Sequence, residues 1–107
     1  MIMTKDQQTQ IEAAAFRGLI EHLQHRTDVQ NIDLMNLAGF CRNCLAKWYA
    51  AEANNQGLDI DYASAQNEVY GMSIEEWKNN HQTPASDEQK ALFESTKPMH
   101  AVISGHK

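Results

Sequence analysis

A chain of 107 residues, 42% hydrophobic and 21% charged, has the balance of one folded domain with a single modest core, which excludes a disordered or fibrous protein. Fourteen acidic residues outnumber nine basic ones for a net charge of −5, and the basic residues are scattered. No stripe exists to neutralise a phosphate backbone, so no nucleic acid partner is expected.

The chain order of elements is helical throughout. From Thr4 to about Arg26, Ile11, Ala15, Phe16, Leu19, Ile20 and Leu23 recur at spacings of three and four, the mark of an amphipathic helix. Thr4 followed by Gln7 has the form of a capping box at its start. The polar stretch Arg26–Asn31 reads as a connection. A second helical pattern runs from about Asp33 to Asn54, with Leu34, Leu37, Ala38, Cys41, Cys44, Leu45 and Trp48 on one stripe and Gly57 beyond its end. Gly39 either kinks this helix or splits it, leaving a short helix to Ala38 and a longer one from near Phe40, with Cys41 in a first turn.

Asp61 is placed to cap a third helix through Tyr70, ended by Gly71, and Ser73 with Glu76 to open a fourth from Ile74 to about His81. Pro84 and Ala85 mark a turn. Ser86 with Gln89 repeats the capping spacing for a last helix to about Ser95, stopped before Pro98. No strand alternation, repeat or low-complexity stretch interrupts this reading. The expected fold is all-α: one domain over residues 1–107, a compact bundle of two longer helices with two or three short ones, and residues 99–107 a loosely ordered tail. The longest apolar stretches, such as Ala13–Phe16, fall far short of the roughly 20 residues of a membrane span. Met1–Gln10 lacks the pattern of a secretory signal, so the expectation is a cytoplasmic protein with no membrane partner.

Two pairs of potential ligands stand out. His22 and His25 are spaced i, i+3, as are Cys41 and Cys44, and on a helix that spacing puts both members on one face, about 5–6 Å apart at Cβ. If the two longer helices pack as an antiparallel hairpin, the four side chains converge. Two imidazoles and two thiolates suit zinc in tetrahedral geometry, and iron accepts the same set. Packing is the plainer reading, since a cysteine on an apolar stripe is often a small buried hydrophobe. Redox use is the third: were Cys41 at a helix N-terminus, the dipole and Arg42 would favour its thiolate, with Cys44 resolving.

Other polar residues carry less. Asp59 and Asp61 flank Ile60, but a loop aspartate before a helix is usually a cap. His81, His100 and His106 fall in turn or tail positions, with His100 placed to serve as an extra ligand. Trp48, Tyr49, Tyr70 and Trp77 read as core or interface anchors. Asp28 and Asn31 stand where they could support a metal's ligands.

The block Phe16-Arg17-Gly18-Leu19-Ile20-Glu21-His22-Leu23-Gln24-His25, continuing through Val29 and Asn31 to Gly39-Phe40-Cys41-Arg42-Asn43-Cys44-Leu45, resembles the short proteobacterial proteins grouped as domain of unknown function 1244. Val69-Tyr70-Gly71-Met72, Glu76-Trp77-Lys78 and Pro98–Ala101 look like the same family. The resemblance implies a small helical bacterial protein with no assigned activity, and makes His22, His25, Cys41 and Cys44 part of the family's signature block. Three functions compete: a protein stapled by one metal ion; an enzyme, either thiol redox or metal-dependent; and an interaction module forming a homodimer. The substrate, if there is one, is not legible.

Overall fold

The computed structural model describes residues 2–102. Six helices follow one another with short connections: α1 (Lys5–His25), α2 (Asn31–Ala38), α3 (Arg42–Asn55), α4 (Tyr62–Tyr70), α5 (Ile74–His81) and α6 (Asp87–Thr96), with a 3-10 turn at Lys97–Met99. The all-α expectation holds, with four short helices around two longer ones.

The helix ends are set by local chemistry. Thr4 accepts from the Gln7 amide at 3.0 Å while the Gln7 side chain accepts from the Thr4 amide at 3.0 Å, so two of the four donors that a helix start leaves unpaired are satisfied. Asp61 caps α4 through the Ser64 amide, Ser73 caps α5 through that of Glu76, and Ser86 and Gln89 close a reciprocal box on α6. The start of α2 differs from expectation: it lies two residues earlier, at Asn31, and Asp33 is the residue that reaches back, accepting from the Gln30 amide at 3.1 Å.

Gly39 splits the second helical pattern. Its φ is +77°, the left-handed conformation that ends many helices, and Cys41 then becomes the N-cap of α3. A side chain could not be tolerated here for a second reason: a Cβ on Gly39 would fall 2.5 Å from the Met99 carbonyl oxygen. The chain after α6 returns to this point, the Ala101 amide bonding the Gly39 carbonyl at 2.7 Å and Trp48 Nε1 bonding the Val102 carbonyl at 3.3 Å. Residues 99–102 thus lie against the α2–α3 break, and the remainder of the expected tail, 103–107 with His106, lies outside the described residues.

The core is built where α3 lies on α4. Ala46, Ala65, Val69 and Tyr70 have no exposure at all, and the two alanines let the backbones approach while Leu23, Leu45 and Trp77 fill the rim. Tyr70 and Trp77 meet edge to face at 5.1 Å between centroids. The backbone of α1 runs closest to α4, and α2 packs on α6. The expected hairpin of the two longer helices is therefore not the principal packing. The first half of α1 stands clear of the body with Ile2, Met3 and Ile11 exposed.

Candidate functional site

The two ligand pairs meet different fates. His22 and His25 lie in the last turn of α1, and both are exposed. Cys41 and Cys44 lie at the N-cap and in the first turn of α3, each only 6% exposed. The four do not converge: among the described residues, no three or more His, Cys, Asp or Glu side chains come together as a group able to hold a metal ion. The physical reason is the packing order above. With α1 lying along α4, its histidine face is turned to solvent instead of toward α3.

What the fold does bring together is sulfur. Cys41 Sγ and Cys44 Sγ are 4.0 Å apart, and Cys44 Sγ lies 3.9 Å from Met35 Sδ of α2. Thioether sulfur only accepts, so Cys44 donates its proton to Met35 and Cys41 can donate to Cys44. Met35 was not among the residues picked out by spacing. It arrives because the break at Gly39 turns the chain so that this one residue of α2 reaches Cys44, a relation that no helical period spans.

The electrostatics of Cys41 run against the redox expectation. Burial pushes its thiol above the ordinary value; the Cys44 amide opposes that and the Cys44 sulfur adds to it. The Asn43 amide also pulls downward, yet no capping hydrogen bond to the sulfur is closed. A true helix N-terminus is present, but loss of water outweighs its dipole. Burial, followed by the Cys41 charge, holds the Tyr62 phenol of α4 above the ordinary value as well.

Arg42, next in sequence, is one of the largest fully buried side chains among the described residues. Its five N–H donors are all used: Nε and Nη2 donate to the Leu23 carbonyl at 3.2 and 2.8 Å, Nη2 to the Arg26 carbonyl at 2.8 Å, and Nη1 to the Val29 carbonyl at 2.9 Å and Asn31 Oδ1 at 3.0 Å. The guanidinium also lies 4.6 Å over the Trp77 ring, a favourable cation–π placement. None of these four acceptors is a carboxylate. The charge is instead offset by the carbonyl end of α1, where the helix dipole is negative. Burial lowers the guanidinium's pKa from its ordinary value, yet arginine stays charged. Sequence alone offered Arg42 only as a neighbour of Cys41.

A polar chain continues from Arg42. Asn31 Nδ2 donates to the Tyr70 hydroxyl at 2.9 Å, and that hydroxyl donates to Asn43 Oδ1 at 2.6 Å, which also accepts from Gln66 Nε2 at 3.2 Å. Burial carries Tyr70 far above the ordinary tyrosine pKa, so it remains a neutral donor. Asn31 thus supports Arg42 and Tyr70, while Asp28 pairs with Arg26 at the surface, 2.9 Å away. Asp61 is a cap, and Asp59 is exposed. The His100 ring sits 4.8 Å from Phe93 with Nε2 3.0 Å from Thr96 Oγ1, and His81 meets Trp77 edge to face at 4.8 Å. Among the described residues, no helix is long and apolar enough to cross a membrane.

None of the curated proteins compared with the chain matches it. A family model does match, over residues 29–95, a span that takes in Met35, Cys41, Arg42 and Cys44 and begins beyond His22 and His25. The resemblance read on Phe16–Asp28 and on Pro98–Ala101 lies outside that span. Since the match covers more than half of the chain, the protein belongs to the family described as protein of unknown function, DUF1244.

Proposed function

We propose that the protein binds one metal ion through Cys41 and Cys44, as a structural centre holding the break between α2 and α3. The observation that carries this is the pair of buried sulfurs 4.0 Å apart in the first turn of α3. Two thiols at that separation can grip a single ion between them once their protons leave.

The histidine half of the expected site is left out of this reading. Bringing His22 and His25 inward would require the last turn of α1 to rotate, and the carbonyls of Leu23 and Arg26 are held in place by Arg42. The competing use of the same cysteines is a reversible disulfide. That requires the sulfurs to close to about 2.05 Å, and exchange requires a thiolate open to an incoming partner. Burial opposes both.

Elemental analysis of reduced, untagged protein, beside Cys41→Ser and Cys44→Ser, tests the proposal. About one metal per chain, lost in both variants, is the expected result. Metal-free wild type after incubation with zinc, iron(II) and copper(I) salts would overturn it. Quantitative formation of the Cys41–Cys44 disulfide in folded protein with oxidised glutathione, and no metal uptake, would move the assignment to redox use.

A further inference from the structure

The dithiol of Cys41 and Cys44 has a third sulfur beside it, and we infer that the ion it takes is copper(I), a soft monovalent cation, with Met35 as its third ligand. This rests on the metal-binding reading above and goes beyond it in naming the ion and the added residue.

Donor chemistry comes first. Zinc in a structural site takes four ligands, and the described residues gather no three of His, Cys, Asp and Glu. The donors at hand are two thiols and one thioether, and thioether sulfur is a ligand that soft copper(I) accepts and hard cations refuse. Both cysteines are 6% exposed, so water has little access as a further ligand.

Geometry agrees. With sulfur separations of 4.0 and 3.9 Å, an ion about 2.3 Å from each sulfur, the length of a zinc–thiolate bond, subtends about 120° between Cys41 and Cys44 and about 115° between Cys44 and Met35. Both angles lie on the trigonal side of the tetrahedral value. Two of the three sulfur–sulfur edges of a three-coordinate centre are therefore already in place.

The charge change is also accommodated. Copper(I) entering as a solvated cation displaces the two thiol protons to solvent, forms two copper–thiolate bonds and one copper–thioether bond, and involves no change of oxidation state. The neutral dithiol becomes a centre of charge −1. The positive end of the α3 dipole faces it, and the Arg42 guanidinium is close enough to Cys41 to couple with it electrostatically. An iron(II) or zinc(II) centre on the same two thiolates would be neutral and would draw less from these groups.

The test is anaerobic titration of reduced protein with copper(I) against a chromophoric copper(I) chelator, with zinc(II) as competitor, followed by X-ray absorption at the copper edge. The expected result is one copper(I) per chain, resistant to a large excess of zinc, with three sulfurs at one distance shell. Met35→Leu, which keeps size and helix propensity, is expected to weaken binding about tenfold or more and leave two sulfurs. Cys44→Ser is expected to abolish it. One zinc per chain with no preference for copper would overturn the inference and leave the metal reading standing, whereas uptake of none of zinc, iron(II) and copper(I) would overturn both. Unchanged affinity and sulfur count in Met35→Leu would remove Met35 from the site.

Discussion

The end of α1 and the start of α3 carry the same device, two ligand-type residues three apart, and the fold treats them in opposite ways. His22 and His25 look out to solvent, whereas Cys41 and Cys44 are buried, with Met35 against Cys44. Spacing on a helix dictates that two side chains share a face, and says nothing of what will cover that face. Cover is decided by which helices pack, here α3 on α4 and α2 on α6, with the chain broken at Gly39. The two regions are nevertheless joined, because Arg42 from the start of α3 holds the carbonyls at the end of α1.

That joint should be the most sensitive point in the molecule. Arg42→Leu removes the donor to three backbone carbonyls and to Asn31 at once, and each buried acceptor left alone costs roughly 1–3 kcal/mol. The expected loss is at least about 3 kcal/mol, read from the midpoint and slope of urea unfolding. Arg42→Lys keeps the charge but cannot span the same acceptors, and should lose more than half as much. Exposed Arg26, three residues upstream of Val29, is the control: Arg26→Ala should leave the melting temperature in place. If Arg42→Leu were as stable as wild type, the joint would not hold the two regions.

Next in size is the hinge that makes the cysteine region different from the histidine region. Gly39→Ala forces a side chain into a left-handed residue and drives its Cβ to 2.5 Å from the Met99 carbonyl. The expected cost is about 2–4 kcal/mol. Calorimetry reads it, and hydrogen exchange should show the Ala101 amide, bonded to Gly39, losing protection before the amides of α4. A neutral substitution would mean that the tail is not pinned at Gly39.

A smaller effect separates the two pairs directly. Cys44→Ala leaves a small cavity beside Met35 and should cost about 1–2 kcal/mol in metal-free protein, while His22→Ala should not move the unfolding midpoint. Equal losses at the two positions would show that the histidine face is covered after all.

How much of this was legible depends on range. Thr4 with Gln7, Asp61, Ser73, and Ser86 with Gln89 were readable as caps because each satisfies amides only a few residues away, and the same holds for Gly71 as a terminator. The start of α2 lies two residues before the point where the apolar pattern begins because Gln30, its N-cap, is not among the usual capping residues, and Asp33 gives no sign that it reaches back to it. Met35 and the buried state of Arg42 had no local signal. Both follow from α2, α3 and the end of α1 meeting, and an arginine after a cysteine has the same letters whether it is solvated or sealed. The four-ligand convergence failed for that reason too: it assumed a hairpin of the longest helices, while the small residues Ala46 and Ala65 direct α3 onto α4.

The smallest expected effect concerns pH, and it sharpens the contrast between a sealed and a solvated pair. Folding raises the Cys41 thiol above its ordinary value through burial, so the folded state keeps a proton that the unfolded chain releases from about pH 8.5 upward. With more protons bound in the folded state than in the unfolded one, stability must fall as pH rises through that range. Tyr70, raised by burial as well, extends the same fall beyond pH 10. Metal-free protein with reduced thiols is therefore expected to be fully stable at neutral pH and to lose stability steadily above about pH 8.5. In Cys41→Ser the early part of that decline should be shallower, and in Tyr70→Phe the later part. A decline unchanged by Cys41→Ser would mean that the sulfur is not sealed, and the case for a water-poor sulfur centre would go with it.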